Sequence, residues 1–393
     1  MTNEHISNSK PLPARGTVSN LVLSFGFSLT GAGTVMLGVL LPVLSQRWAL
    51  TDSTAGLLLL LQFLGSALGA VLTGLHRVRS LIFGYGLLVL SLGAITLASS
   101  GAPFAAFFFY GLGLGLVMTA TSLLITDRSG DESAAKLEGL NFIWSVGATA
   151  GPMLFLPFLR KTDLRVLFLV LLALFMLQLA WVVFAERQEP RRAQKAEPLA
   201  AAPAASGIFL SMVILAVCAV GIEAAMSGWL TTYSHRAGLH SLAGAALATS
   251  LFWLGEMISR LAFSTRLLAK MGRRATLRAT IWGVLASVAA LIAAPYPSAI
   301  LAVAVIAGVC IGPLYPLLLS FMLEHSSRGW IFAVGGVGAA VFPWLTGMLS
   351  SHFHSLRLGL TAPCGAGLIM VALLQSAAVR RGNAAEQTAP VNS

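Results

Sequence analysis

The sequence predicts an all-α integral membrane protein, with twelve transmembrane helices in two pseudo-symmetric six-helix bundles. Three observations predict it. Of 393 residues, 57% are hydrophobic and only 10% are charged, with a mean hydropathy of +0.84; a soluble domain carries about 25% charged residues. Twelve apolar runs are each long enough to cross a bilayer, which takes about 20 residues. One long polar interruption, "ERQEPRRAQKAEPLAAAPAAS" at 186–206, divides them six and six.

The runs fall at 18–45, 53–75, 80–100, 103–126, 134–158, 164–185, 207–234, 242–265, 275–294, 298–322, 329–350 and 358–379. Backbone groups in hydrocarbon must bond within the protein, so runs of this length are helices; barrel strands are short and alternate. The segment before Val18 is polar, and the first apolar run is too long for a signal-peptide core. With the N-terminus in the cytoplasm, 18 of the 25 Lys and Arg residues fall on inside segments, 6 on outside loops, and Arg260 within a span. Cytoplasmic loops collect Lys and Arg, so both termini are expected in the cytoplasm of a multi-pass protein of the cell (inner) membrane. The net charge of +11 has the same origin. The basic residues are scattered over loops, so nucleic acid is not an expected partner.

The charges and prolines of 186–206 cannot form a core. The segment 1–185 is therefore expected as one six-helix bundle, 186–206 as a cytoplasmic linker and 207–393 as the second bundle. An internal repeat agrees. "VGATAGPML" (146–154) lines up with "VGAAVFPWL" (337–345) at five of nine positions, and "FLGSALG" (63–69) with "WLGEMIS" (253–259) through its Leu-Gly pair, both at nearly the same offset, close to half the chain. Duplicated halves place a substrate between them near the bilayer midplane and move one half against the other.

No enzyme is expected. There is no nucleotide loop, no metal-ligand cluster and no nucleophile with an evident base. Cys218, Cys310 and Cys364 are far apart in apolar runs, without disulfide or metal spacing. No cofactor is expected.

"GIEAAMSGWLTTY" in the seventh span, "SLFWLGEMISRL" in the eighth, "GPLYP" in the tenth and "LNFIWSVGATAGP" in the fifth resemble major facilitator superfamily transporters, within them the sugar-transporting branch related to fucose permease. The resemblance covers nearly the whole chain and implies the two-bundle fold and a small-molecule solute. Two departures stand out. The superfamily's loop motif survives as "KMGRR" (270–274), with Ala269 where its acid would be, and as "GLHRVRS" (74–80) in the first half, also without the acid. The first span carries no carboxylate, and the fourth has none before Asp127. "GATAGP" (147–152) partly matches a motif of drug antiporters, which keeps efflux open.

The candidate site residues follow from position. Glu223 lies well inside the seventh span, near the midplane. An acid there costs about 2.5–3.5 kcal/mol on insertion scales, so it faces a cavity or a partner. It is a candidate for substrate binding, for proton coupling, or for both. Trp229 and Tyr233 follow in the same span, beyond Gly228, where a bend is expected. Glu256 and Arg260 are four apart in the eighth span and share a face, with Trp253 three positions before Glu256. A salt bridge is expected, with gating as the functional version. Asn141 and Trp144, three apart in the fifth span, offer amide hydrogen bonds and a flat apolar face. Gln62 in the second span and Tyr315, flanked by Pro313 and Pro316 in the tenth, complete the set. Trp48 and Trp330, near span ends, have the position of interface anchors.

The expected function is secondary transport of a small polar solute by alternating access, coupled to a proton, by a monomer in the lipid bilayer. A monosaccharide is the leading solute, because the polar groups are neutral amides and hydroxyls interleaved with tryptophan. A proton-driven exporter of lipophilic drugs, a sugar uniporter and a non-transporting receptor are the alternatives.

Overall fold

The computed structural model describes residues 18–74, 76–98, 101–129, 132–160, 164–187, 207–262, 268–325 and 330–375. The expected linker from residue 188 onward, both terminal tails and the side chain of Trp330 lie outside the described residues. The first half contains α1 (Asn20–Arg47), α2 (Asp52–Leu72), α3 (Arg77–Leu97), α4 (Phe104–Ser129), α5 (Ser133–Arg160) and α6 (Leu164–Arg187). The second contains α7 (Gly207–Arg236), α8 (Leu242–Ala262), a short α9 (Leu268–Met271) and α10 (Arg273–Ala293). It continues with α11 (Pro297–Ile311), α12 (Leu314–His325), α13 (Trp330–Phe353), a short α14 (Leu356–Gly359) and α15 (Thr361–Gln375).

Among the described residues twelve spans result, the tenth built from α11 with α12 and the twelfth from α14 with α15. No strand occurs among the described residues. An even number of spans puts Val18 and Gln375 on one side, here the tail face; α1, α7 and α13 end on the opposite, far face. Helix starts follow ordinary rules: Ser19 accepts from the Val22 N–H and Thr51 from the Thr54 N–H, each satisfying a donor that the helix leaves free. Phe83, Leu90, Leu97, Leu154 and Phe184 are exposed, as expected of side chains whose solvent is lipid.

Glycines set the packing within each half, and in matching places. On α4, Gly111 stands against the Gln62 carbonyl of α2, and Gly115 against that of Ser66. On α11, Gly308 stands against the Phe252 carbonyl of α8; just beyond it, Gly312 meets Ser259 and the Glu256 carbonyl. The step along the chain from Gln62 to Phe252 equals the step from Ser66 to Glu256, and it is the offset of the "FLGSALG" and "WLGEMIS" segments. Without a side chain at the contact, backbones touch, which is how helices associate where no hydrophobic driving force exists. The repeat in the sequence is thus a repeat of backbone contacts.

The halves meet where α1 packs on α7, α2 on α13 and α5 on α8. Among the described residues no comparable packing joins α4 to α11 or α12. Gly228 lies in the α1–α7 seam against Leu59 and near Gly38, a close approach of the two helices, and α7 runs through it as one helix. Trp48 differs from expectation. It is 6% exposed, with its ring edge-on to Phe107 at 6.2 Å, because the turn after α1 folds it inward onto α4.

On the far face the closure is polar. The Arg236 guanidinium at the end of α7 donates two bonds of 2.7 Å to the Asp52 carboxylate at the start of α2. The Ser350 hydroxyl of α13 donates to the same carboxylate at 2.5 Å, and the Ser53 N–H donates to Ser351 Oγ at 2.7 Å. Arg236 is 45% exposed, and exposed pairs contribute at most about 1 kcal/mol. Asp52→Asn is therefore expected to shift the far-side opening equilibrium by about fivefold. A membrane-impermeant maleimide applied from the far face measures it, on a Ser227→Cys reporter beneath the seam with the native cysteines removed. An unchanged labelling rate rules out a closing role for Asp52.

Candidate functional site

The eighth span supplies three groups at helical spacing. Trp253, Glu256 and Arg260 lie along one face of α8, and all three reach the interior: Trp253 is 2% exposed and Glu256 fully buried. The Arg260 guanidinium forms an ion pair with the Glu256 carboxylate through Nη2, while both carboxylate oxygens lack a hydrogen-bond donor among the described residues. The same Nη2 is 3.9 Å from Glu223 Oε2 on α7. The acid of the seventh span and the ion pair of the eighth are one cluster.

A third element completes it. Pro313 and Pro316 end α11 and start α12 around Gly312. Pro316 has no N–H to give to the carbonyl four positions earlier, which is that of Gly312. Arg260 Nε donates to that carbonyl at 3.3 Å. A guanidinium presents donors in a fixed fork, and here the fork serves a carboxylate on its own helix and an orphaned carbonyl on the next span but one. Tyr315, half-buried on α12, lies within electrostatic reach of Glu223.

Charge within the cluster does not balance. Two carboxylates face one guanidinium, and Arg260 is 24% and Glu223 17% exposed while Glu256 has no exposure. With both acids ionised the cluster carries one surplus negative charge.

Beside it, the seam between the halves holds a tryptophan pair. Trp144 of α5 and Trp253 of α8 meet edge to face, with ring centres 5.1 Å apart and planes at 76°. Both indole N–H groups are buried without a partner among the described residues. Buried donors are normally bonded, which makes these two indole N–H groups candidate contacts for a polar guest. Around them, the Ser250 hydroxyl ties α8 to α5 through the Thr149 carbonyl at 2.8 Å, and the Thr149 hydroxyl is itself unpartnered among the described residues.

The remaining candidates fall elsewhere. Gln62 is 1% exposed and donates from Nε2 to the Thr34 carbonyl of α1 at 2.9 Å, with Oε1 left open. Asn141 is exposed, one turn toward the tail face from Trp144, and its backbone carbonyl accepts from Ser145 Oγ. Trp229 is fully buried and donates its indole N–H to the Pro343 carbonyl at 2.8 Å, joining α7 to α13. Tyr233 is likewise engaged, donating to the Leu291 carbonyl at 2.6 Å. Among the described residues no group of His, Cys, Asp or Glu has the arrangement of a metal site.

Sequence reasoning left out the far-face residues Asp52 and Ser350 and counted Arg236 only as a loop charge. It also left Glu223 and Arg260 apart. A signal for the second existed. α7 and α8 form an antiparallel hairpin, and Glu223 stands about as far before Arg236, where α7 ends, as Glu256 stands after Leu242, where α8 begins. Equal depth on adjacent antiparallel helices brings the two within reach of one guanidinium.

Comparison with known proteins agrees with this architecture. Residues 23–329 match the model of the Major Facilitator Superfamily. The chain is 25% identical over 256 residues to a TsgA homologue of Erwinia tasmaniensis, a match that covers 61% of this chain and 63% of that relative. The crystal structure of a D-xylose-proton symporter superposes with a TM-score of 0.69 at 15% identity, over 89% of this chain and 96% of the other. At that identity the likeness is one of fold. With a family match across most of its length and twelve spans in two six-helix halves, the chain belongs to the major facilitator superfamily.

Proposed function

We propose that this chain is a secondary transporter that moves a monosaccharide by alternating access, with a proton carried at Glu223. The observation that supports the coupling is the cluster of two acids on one guanidinium. A surplus buried charge is costly in a membrane, and a single proton removes it. Glu256 makes the closer ion pair with Arg260 and Glu223 the longer contact, so Glu223 is the acid that exchanges the proton and Glu256 the one that stays paired.

The solute sits at the seam beside the Trp144–Trp253 pair. A sugar has C–H groups that suit an indole face and hydroxyls that accept from the open indole N–H groups. Gln62 Oε1 and Tyr315 are the further contacts. The resemblance to the fucose-permease branch points the same way, as does the likeness in fold to a D-xylose-proton symporter. We place the tail face in the cytoplasm of the inner membrane on the bias of basic residues, which makes this closed far face the inward-facing state. In this reading bodies 1–185 and 207–393 rock against each other around the linker at 186–206. Export of lipophilic cations fits less well, because the carboxylate that would serve as counter-ion already has Arg260 beside it.

The test is charge movement in proteoliposomes, with a panel of hexoses and then lipophilic cations at several pH values. A hexose-evoked current supports the proposal. Isotope exchange without current reduces the protein to a uniporter. A response to cations with none to sugars in either assay overturns it.

A further inference from the structure

Arg260 holds two kinds of partner with one rigid group. Both acids converge on its Nη2, which pairs with Glu256 and lies 3.9 Å from Glu223 Oε2. Its Nε donates to the Gly312 carbonyl, between α11 and α12, at 3.3 Å. A guanidinium is planar and its donors keep a fixed geometry. When Nη2 turns toward a different acid, Nε turns with it.

The carbonyl end of this link has no substitute. Pro316 stands where the N–H four positions on from Gly312 would be, and no other backbone N–H donates to that carbonyl among the described residues. Gly312 also rests directly on α8, where a Cβ would meet Ser259 Oγ and the Glu256 carbonyl. No side chain cushions the contact. α12 begins two residues later, so its start follows the direction in which Nε points.

The acid end is just as sparse. α8 brings Arg260 and Glu256 to Glu223, and α12 brings Tyr315. The other helices in close contact with α7 are α1, α11, α13 and α15. The basic groups of α1 and α13, Arg47 and His352, lie at their far ends, and α11 and α15 carry only the thiols of Cys310 and Cys364. An ionised Glu223 therefore competes with Glu256 for Nη2, and a protonated one does not.

The geometry points to Arg260 as the positioning residue that ties the proton on Glu223 to the placement of α12. The inference rests on the reading of Glu223 above and adds the route by which its proton acts. With Glu223 ionised, the guanidinium swings toward α7 and loosens its hold on the Gly312 carbonyl. With a proton on Glu223, it settles on Glu256 and the carbonyl together. Tyr315, a proposed solute contact, rides on α12 three positions past Gly312. Proton and solute thus bias one two-position element, and the coupling between them is reciprocal.

The experiment uses the full chain in nanodiscs, free of solute, with Cys218, Cys310 and Cys364 replaced by alanine. Spin labels on Leu319→Cys of α12 and on Leu247→Cys, at the exposed face of α8, report their separation by double electron–electron resonance over a pH series. The mean distance is expected to move by about 2 Å, the scale of a helix shift. Glu223→Gln is expected to abolish the movement. Two further variants are expected to abolish it with Glu223 intact. Arg260→Lys keeps the charge but replaces the fork by a single point. Pro316→Ala gives the Gly312 carbonyl a donor on its own helix. An arginine that only holds the fold together predicts no movement with pH. A fixed distance in the parent therefore overturns the link, as does a movement that either Arg260→Lys or Pro316→Ala retains. A movement that survives Glu223→Gln overturns the link and, with it, the placement of the proton on Glu223. Failure of the solute reading looks different: hexose-evoked current is absent while the distance still follows pH through Arg260.

Discussion

Arg260→Met is expected to destabilise the protein by about 3–5 kcal/mol, the cost of leaving a fully buried charge without its partner. Methionine fills similar volume, so lost packing is a minor part. Two groups are stranded at once: the Glu256 carboxylate, which has no exposure, and the Gly312 carbonyl, whose own helix has no donor for it. Adding Glu256→Gln removes the stranded charge and is expected to recover most of the loss. Thermal unfolding of the two single variants and the double variant, closed into a cycle, isolates the pairwise coupling. Arg260→Lys is expected to rescue only in part, because an ammonium on a flexible stem does not serve the carboxylate and the carbonyl together. A neutral Arg260→Met, or a Glu256→Gln that brings no recovery, shows that the pair contributes little to the fold.

Glu223→Gln acts on function rather than on folding. A charge moved across 100 mV carries about 2.3 kcal/mol, and each 1.4 kcal/mol is tenfold in concentration, so one coupled proton supports a solute gradient of about 50-fold. In Glu223→Gln proteoliposomes the accumulated hexose is expected to fall to about the external concentration. Counterflow, which needs no net proton movement, is expected to continue, since glutamine keeps the shape and still offers a carbonyl to the solute. Accumulation that survives the substitution assigns the proton to another group. Loss of counterflow as well makes Glu223 a solute contact first.

The fold was almost entirely legible in the sequence because lipid imposes a simple rule: every span must be a long apolar helix. Even the interruption of the tenth span was readable, since Pro313 and Pro316 each delete a donor. The candidate site was legible only in part. Spacing along one helix paired Glu256 with Arg260, but contacts between helices depend on rotation and depth. Those decide that Glu223 turns toward Arg260, while Trp229, further along the same helix, turns toward α13. They also decide that Trp48 folds inward, although its position near a span end suits an anchor. Asp52 and Arg236 belong to opposite halves of the sequence, and nothing in a single chain's composition announces that two loop-end charges will meet. Their pairing belongs to the assembled halves.

The glycines of α4 and α11 have a consequence for motion. Where backbone rests on backbone, no side chain stands between two helices to change rotamer and absorb a shift. The α2–α4 and α8–α11 pairs are therefore expected to be stiff, and each half to move as one lever. Any stroke is then expected to be taken up elsewhere, at the proline break between α11 and α12. The small residues scattered through the sequence thus divide the molecule into parts that hold their shape and joints that bend.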